Sequence, residues 1–459
     1  MNRIPNRSSK EHRATFTTLI GVSCGVIIGI LLKNFTNQPW SERAIMYYQF
    51  PGEIFLRIIN CLILPLIISS VVSASCYLSK SGSIGIKALY YYITTTTLGI
   101  ILCIILVQTI KPGEYHINRN LTINSWQRFI TTDTFLDLLR NFIPDNFVKA
   151  SLSQYQTVLS KPINSTAEEN VHLWRISHQY IDGTNVLGLV GISLLFGIAI
   201  GCMDERGKPL LNFFQALSDL TGIIMNWTII AVPVGVLFLI PGKILQTNDL
   251  TEMMFQLGIY VSTVFLGLLI HGLIILPSLY FISTRKSPFR LLSKIGPAII
   301  TALGTSSSTA TVPTTIKCLD SIGINPKVSR FVAPIGATIN MDGIALYETV
   351  GALFIIQQRG LNYSFIRIVA IAITCTVSCI GAAGLPNGGY VMLITVLESI
   401  GIPAEDVTLI ITIDCLVDRL RTTVNIIADV VGAGIIDHFT EKENSNVCEE
   451  HLLNINNQT

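Results

Sequence analysis

Long apolar runs separated by short polar linkers repeat along the whole chain. A run of about 20 apolar residues is long enough to cross the hydrocarbon core of a bilayer as a helix. Inside lipid every backbone polar group needs an internal partner, which restricts spanning segments of this length to helices. The pattern therefore predicts an all-α membrane protein with about eight transmembrane helices. The runs lie near residues 14–32, 52–78, 88–110, 184–202, 211–243, 250–283, 330–357, 365–400 and 407–436.

The composition agrees with a polytopic membrane protein. Of the 459 residues, 50% are hydrophobic and 13% are charged, about half of the roughly 25% charged share of a soluble domain. The net charge is only +2, and the basic residues are dispersed between the apolar runs. The sequence therefore indicates a lipid bilayer as a partner and gives no basic patch for nucleic acid.

Basic residues in the linkers predict the orientation. The chain starts with the basic segment MNRIPNRSSKEHR, and the first run is too long for the apolar part of a signal peptide. The linkers at 204–208 and 285–294 are also basic and fall on the same side as the N-terminus. We therefore expect a multi-pass plasma-membrane protein with cytoplasmic N- and C-termini.

One long polar stretch, residues 111–183, then falls outside the cell. It holds two N-x-S/T acceptor triplets, at Asn120 and Asn164, and such triplets are glycosylated on the surface of secreted or extracellular segments. The stretch is interpreted as an extracellular loop region of a glycoprotein.

The last run carries a stripe of ionisable residues. Asp414, Asp418, Arg421, Asn425 and Asp429 are spaced 4, 3, 4 and 4 residues apart, so a helix places them within a stripe roughly 80° wide. Each charge at the centre of a bilayer costs roughly 2.5–3.5 kcal/mol on insertion scales, so the stripe must face protein or water. A ladder of ion pairs that locks helices together is one interpretation. The excess of oxygen ligands beyond the arginine favours a cation site instead.

A second run is interrupted in the same way. Asn340, Asp342 and Glu348 break the apolar stretch 333–356, and Gly343 is a place where the helix could unwind. Carboxylate, amide and backbone oxygens are the ligands that hard cations such as sodium prefer, although a kinked helix with a hydrogen-bonded Asp would show the same pattern. Glu348 stands alone in an apolar setting, where it could carry a proton or be paired permanently with an arginine.

Two small-residue segments precede these polar runs. They are GTSSSTATVP at 304–313 and CIGAAGLPNGG at 379–389. Each is a poor continuous helix, but each suits the tip of a re-entrant hairpin whose backbone groups line a cavity. Interrupted segments in corresponding positions of two repeats indicate a binding site between the repeats.

These parts together predict a substrate class. Asp418 can hold an ammonium group, and Arg421 on the same face can bind a carboxylate through two parallel hydrogen bonds. Free groups at the hairpin tips could take a second carboxylate. The combination describes an acidic amino acid bound beside sodium.

The chain resembles the excitatory amino acid transporters of the dicarboxylate/amino acid:cation symporter family. The resemblance covers nearly the whole chain and rests on GATINMDG, GAAGLP and DRLRTT, which occur in this order between residues 304 and 438. It implies a sodium-coupled symporter of L-glutamate and L-aspartate with proton co-transport, potassium counter-transport and a chloride-type anion conductance. It also implies inverted repeats, two re-entrant hairpins and a homotrimer in which a mobile transport domain moves past a fixed scaffold.

The resemblance assigns roles to individual residues. Asp418 would bind the substrate amino group and Arg421 its side-chain carboxylate, Glu348 would carry the proton, and Arg419 matches the arginine of eukaryotic members. The other substrate contacts would be Ser306, Ser307, Ser308, Gly384, Thr422 and Asn425. The sodium ligands would be Gly336, Asn340, Asn425 and Asp429 in one site, Thr338 with carbonyls of Cys379, Ile380 and Ala382 in a second, and Tyr92, Thr95, Thr96, Asn340 and Asp342 in a third.

The resemblance also implies a division of the chain into domains. These are 1–87, the N-terminal tail and scaffold helices; 88–110, a transport-domain helix; 111–183, the extracellular loop region; 184–249, scaffold helices; 250–438, the transport domain with both hairpins; and 439–459, a cytoplasmic tail.

Ile344 departs from the family pattern. The residue after NMDG is normally a threonine whose hydroxyl helps to hold the acidic side chain, so Ile344 removes a donor and adds bulk. A neutral amino acid exchanger, a substrate-gated anion channel and a non-transporting receptor-like member therefore stay as alternatives, although Arg421 argues against the exchangers. An intramembrane hydrolase could use Ser306–Ser308, but His271 has no visible carboxylate partner in the sequence, so we expect no enzyme.

Overall fold

The computed structural model describes residues 7–35, 40–114, 131–160, 175–247, 249–361, 365–382, 384 and 388–456. These residues form an all-α fold with one small two-stranded hairpin. The predicted glycosylation sites Asn120 and Asn164 lie outside the described residues.

The first half of the chain holds the hairpin and eight helices among the described residues. The helices are α1 (Arg7–Phe35), α2 (Glu42–Lys80), α3 (Gly82–Ile110), α4 (Thr131–Phe142), α5 (Phe147–Ala150), α6 (Val186–Cys202), α7 (Lys208–Ile230) and α8 (Val232–Gln246), and the strands are β1 (Ser153–Ser160) and β2 (Arg175–Asp182).

The second half contains the interrupted segments. Its helices are α9 (Leu250–Ile270), α10 (Leu276–Thr284), α11 (Pro288–Leu292), α12 (Gly296–Thr305), α13 (Ser308–Ile322), α14 (Pro326–Ile339), α15 (Asp342–Gln358), α16 (Phe365–Gly381), α17 (Gly388–Ser399) and α18 (Thr408–Asn456). A π-helical turn, His271–Ile275, joins α9 to α10.

Several helices are long and apolar enough to cross a membrane. In the described part of the chain 5 helices qualify by length and hydropathy, and α7 with α8 adds one more if that pair, bent by 54°, is a single span. Helices α6, α12, α16 and α17 are apolar but shorter. The chain is thus a multi-pass membrane protein, while the count of about eight spans and the re-entrant course of the hairpins stay predictions.

The helices pack in two groups. Helix α2 packs against α6, α7 and α8, and α1 packs against α8. In the other group α15 lies at the centre, in contact with α3, α9, α16, α17 and α18. Residues 342–357 of α15 are all buried, including the polar side chains of Asp342, Glu348 and Gln357. The two groups meet where α14, α16 and α17 contact α2, where α16 contacts α6 and where α18 contacts α8.

The stretch 111–183 contains more structure than a loop. Helix α4 is strongly amphipathic, and β1 pairs antiparallel with β2, Ser153 opposite Asp182. The Asp137 carboxylate of α4 accepts a 2.7 Å hydrogen bond from the Thr157 backbone N–H of β1. The sequence interpretation missed these elements because it searched for long apolar runs, and short polar strands have none.

Two predicted domain boundaries fall inside helices, and the break in one apolar run lies a few residues from the predicted point. Residue 88 lies within α3, which begins at Gly82, and α18 continues without a break past residue 438 to Asn456. The run 330–357 is broken, as expected, but at Asn340 and Met341, the two residues between α14 and α15. Gly343 was predicted as the unwinding point and lies instead in the first turn of α15.

Candidate functional site

A buried ion-pair cluster lies in the middle of the charged stripe. On α18 the Nη2 atom of Arg421 is 3.0 Å from Asp414 and 2.7 Å from Asp418. The three side chains lie on successive turns of one face, as the sequence spacing predicts. Both ion pairs are formed within α18, so they do not lock one helix to another.

Residues of two other helices also contact the Arg421 guanidinium. Its central carbon lies 4.0 Å from the centroid of the Tyr347 ring of α15, a cation–π arrangement. A Cβ atom at Gly389 of α17 would lie 1.8 Å from Nη1, so only glycine allows this approach. Nε and Nη1 are buried and have no hydrogen-bond partner among the described residues. These donors suit a carboxylate ligand, which arginine binds through two parallel hydrogen bonds.

Asn425 connects α18 to the interrupted helix. Its side-chain oxygen accepts a 2.7 Å hydrogen bond from the backbone N–H of Gly343, which stabilises the first turn of α15 after the break. A Cβ atom at Gly343 would lie 2.6 Å from the carbonyl oxygen of Arg421. Gly343 therefore allows α15 to approach α18. The Thr422 hydroxyl donates to the Asp418 carbonyl of its own helix at 2.8 Å.

A first group of oxygen atoms forms around Asp429. Its Oδ1 accepts a 3.1 Å hydrogen bond from the side-chain amide of Asn340. A Cβ atom at Gly336 of α14 would lie 2.2 Å from the same oxygen, so the carboxylate rests directly against the α14 backbone. The Asp429 carboxylate, the Asn340 side-chain amide and the α14 backbone thus converge, with the amide nitrogen as the donor to Asp429. Carboxylate and carbonyl oxygens are ligands that a hard cation prefers.

A second group of oxygen atoms forms around Asp342. The hydroxyl of Thr96 donates to Asp342 Oδ1 at 2.7 Å, and the hydroxyl of Thr95 lies 3.3 Å from Asp342 Oδ1 and 3.4 Å from the side-chain oxygen of Asn340. The Tyr92 hydroxyl donates to the Val332 carbonyl at 3.4 Å. Threonines of α3 thus lie beside the broken helix, as the predicted third sodium site requires.

His271 has the carboxylate partner that the sequence interpretation did not find. Its Nε2 is 3.1 Å from Asp342 Oδ2, and both side chains are fully buried. The π-helical turn that begins at His271 rotates the following residues relative to a regular helix, a geometry that is common at functional sites. The prediction that His271 lacks a carboxylate partner was wrong, because His271 and Asp342 are distant in the sequence and become neighbours only in the fold.

The two interrupted segments meet at their tips. The Ser307 hydroxyl donates to the Gly384 carbonyl at 2.7 Å and accepts from the Ala310 backbone N–H at 3.2 Å as the N-cap of α13. Ser306 ends α12 with a left-handed φ of 51°, and Ser308 is buried in the first turn of α13. Arg419 reaches the same hairpin through a 2.6 Å hydrogen bond to the Leu303 carbonyl.

The predicted second sodium site is less well assembled. The Thr338 hydroxyl donates to the Ile335 carbonyl of its own helix at 2.9 Å, and the Cys379 carbonyl accepts from the Ala382 backbone N–H at 3.3 Å. Helices α14 and α16 pack against each other. Among the described residues no hydrogen bond joins Thr338 to Cys379, Ile380 or Ala382.

Glu348 is fully buried on α15. Its two carboxylate oxygens have no hydrogen-bond partner among the described residues. No salt bridge joins it to an arginine within the described ranges, so the alternative of a permanent ion pair has no support.

Comparison with known proteins shows the family. Residues 14–439 match the sodium:dicarboxylate symporter family. The chain belongs to this family. Membership of the sodium:dicarboxylate symporter family makes it a transport protein and not an enzyme, which rules out the hydrolase alternative.

Several curated relatives in the sodium:dicarboxylate symporter family are similar along most of their length. The chain is 42% identical to excitatory amino acid transporter 3 of Mus musculus, with 95% of this chain and 87% of the relative covered. It is 42% identical to excitatory amino acid transporter 3 of Homo sapiens over the same shares. It is 40% identical to excitatory amino acid transporter 1 of Ambystoma tigrinum, with 95% and 84% covered.

Sequence reasoning on this symporter-family chain missed three residues at the site. Tyr347 and Gly389 enclose the Arg421 guanidinium, and His271 binds Asp342. The signal for Tyr347 was its position on the same run as Asp342 and Glu348, and the signal for Gly389 was the doubled glycine at the end of the second hairpin segment. Arginine guanidinium groups stack on aromatic faces, so an aromatic residue on a neighbouring run, such as Tyr347, was a candidate partner.

Proposed function

We propose that this symporter-family protein transports acidic amino acids, L-glutamate and L-aspartate, coupled to sodium. The observation that carries the proposal is the buried Arg421, whose Nε and Nη1 donors have no hydrogen-bond partner among the described residues. Nη2 already contacts Asp414 and Asp418. The remaining donors match the side-chain carboxylate of an acidic amino acid, and the relatives named above are excitatory amino acid transporters.

Sodium would be held by the oxygen groups around Asp429 and Asp342. Asp429 supplies carboxylate oxygens beside the Asn340 amide, and Asp342 lies at hydrogen-bonding distance from the hydroxyls of Thr95 and Thr96; carboxylate and hydroxyl oxygens suit a small hard cation. Asn340 contributes to both groups, so binding of one sodium would order a ligand of the other. This shared ligand supports coupling between the ions.

Several finer features belong to the same proposal. They are proton co-transport through Glu348, potassium counter-transport, an anion conductance for chloride, a homotrimer, glycosylation at Asn120 and Asn164, and a plasma-membrane location with both termini in the cytoplasm. The domain division and the roles of the hairpin tips also stay part of it. The bond between Ser307 and Gly384 supports a substrate contact by both tips.

The test is uptake of radiolabelled L-aspartate and L-glutamate into cells that express the chain, in sodium and in choline. We expect sodium-dependent uptake in the parent and its loss in Arg421→Cys, with neutral amino acids now competing. Loss of Arg421 also leaves Asp414 and Asp418 buried without their cation, a cost of about 3–5 kcal/mol. Surface biotinylation and Arg421→Lys, which keeps the charge but not the two parallel bonds, therefore separate binding from folding.

Arg330→Cys is the matched control. The Arg330 side chain is 60% exposed and lies 3.5 Å from Asp320, so this change should leave uptake as in the parent. Uptake that is indifferent to sodium, or equal in parent and Arg421→Cys, would overturn the proposal.

A further inference from the structure

The hydroxyl of Tyr390 is a buried polar group that the proposed site does not yet use. The side chain is 1% exposed, near the start of α17. Its hydroxyl has no hydrogen-bond partner among the described residues. A buried hydroxyl that forms no bond costs about 1–3 kcal/mol, so its position calls for a ligand-related explanation.

The neighbours of Tyr390 place it at the Arg421 cluster. The preceding residue, Gly389, is the one whose backbone touches the Arg421 guanidinium. The charges of Asp414 and Asp418 act on the Tyr390 hydroxyl. Helix α17 also packs against both α15 and α18, the two helices that carry the site.

Ile344 cannot donate a hydrogen bond to the substrate carboxylate, so a hydroxyl from another residue would be needed. It follows Gly343, which lies against the Arg421 backbone, and its side chain is 6% exposed. An isoleucine side chain has no hydrogen-bond donor. Position 344 of α15 thus supplies no donor to a substrate carboxylate bound by Arg421, and a carboxylate in a buried site needs more than one donor to replace its hydration.

We propose that Tyr390 is a specificity-determining residue whose hydroxyl donates a hydrogen bond to the side-chain carboxylate of the acidic substrate bound by Arg421. This inference rests on the proposed function and names a residue of the same site. A phenol keeps its proton at neutral pH and is a donor toward a carboxylate. Tyr390 replaces, from α17, the donor that Ile344 does not supply from α15.

The first variant is Tyr390→Phe, which removes one oxygen atom and keeps the ring. A hydrogen bond to a charged group stabilises by about 1.5–3 kcal/mol, so we expect the KM for L-aspartate to rise at least about ten-fold. The maximal rate per transporter at the cell surface should stay within about two-fold, because the lost bond acts in binding. A packing defect would instead lower surface abundance or the maximal rate.

The second variant tests whether a hydroxyl at residue 344 can replace the hydroxyl of Tyr390. Ile344→Thr in the Tyr390→Phe background should restore the KM to within about three-fold of the parent, and the two changes should be strongly non-additive. Tyr280→Phe is the matched control, because Tyr280 is a buried tyrosine that packs on α18 at Gly434. We expect a parental KM in that control.

The outcomes separate this inference from the proposed function. Sodium-dependent uptake in the parent with an unchanged KM in Tyr390→Phe would overturn the role of Tyr390 alone. A raised KM that Ile344→Thr does not restore would overturn the compensation. Absence of sodium-dependent acidic uptake in the parent would overturn the proposed function, and with it the substrate role of Tyr390.

Discussion

Asn60 of α2 donates a 2.8 Å hydrogen bond to the carboxylate of Glu398 in the last turns of α17. The bond joins the two packing groups of the fold, because α2 belongs to the first group and α17 to the second. The Gln154 side chain of β1 approaches the Glu398 carbonyl at 3.4 Å. The first group and the β1–β2 hairpin thus both contact the end of α17.

We predict that a covalent link at this contact stops transport. If the second group moves past the first during the cycle, Asn60→Cys with Glu398→Cys should lose uptake after treatment with a short bis-methanethiosulfonate, which links two thiols through disulfides with loss of sulfinate. A reducing agent should restore it. Each single variant is a control for the native cysteines, of which Cys61 is exposed near Asn60. Full uptake by a protein that mass spectrometry shows to be cross-linked would contradict the movement.

A second prediction concerns sodium affinity. Asp429→Asn removes the charge beside Gly336 and Asn340, so the sodium concentration for half-maximal uptake should rise at least about ten-fold. The KM for L-aspartate at saturating sodium should change much less. Asp320→Asn is the control, because Asp320 pairs with the exposed Arg330 far from Asp429 in the sequence. A sodium dependence equal to that of the parent would exclude Asp429 as a ligand.

Ser307→Ala tests the contact between the two hairpin tips. The change removes an N-cap of α13, a loss of about 1 kcal/mol, and the bond to Gly384, a loss of a similar size. We expect a lower melting temperature of the detergent-solubilised protein and a higher KM. Ser321→Ala removes a hydroxyl that, among the described residues, bonds only the nearby Cys318 carbonyl. This control should change neither the melting temperature nor the KM. Equal melting temperatures for the two variants would argue against a contact between the tips.

The end of α18 should respond to pH. Hydrogen bonds from Lys87, at 2.5 Å, and from Ser83, at 3.1 Å, lower the pKa of Glu443. The folded protein therefore gains stability from this carboxylate above its ordinary pKa of about 4.3, and the gain is lost as the pH falls through the lowered value. A spin label at residue 446 should become more mobile at low pH, and Glu443→Gln should abolish that response. An identical pH profile in the variant would assign the response to another group.

The family and the all-α fold were predicted correctly from the sequence, because apolar run length and three motifs are local signals. The stripe on α18 followed from helical spacing alone. Contacts between distant segments could not be obtained in this way. The pair His271–Asp342, the Gly389 approach to Arg421 and the bond from Asn425 to Gly343 depend on how helices pack, and no periodicity encodes which helices become neighbours. The polar strands β1 and β2 were missed because their pattern carries no membrane signal.

The ion pairs of Arg421 are confined to α18, and this has a consequence for movement. If the two members of an ion pair lie on different helices, they must separate when the helices slide past each other. Each separation would expose an unpaired ion to lipid. Here the compensating carboxylates and the cation share one backbone. Arg421 and its two carboxylate partners can therefore be relocated together as a rigid body, and these ion pairs do not depend on which helices surround them at either end of the movement.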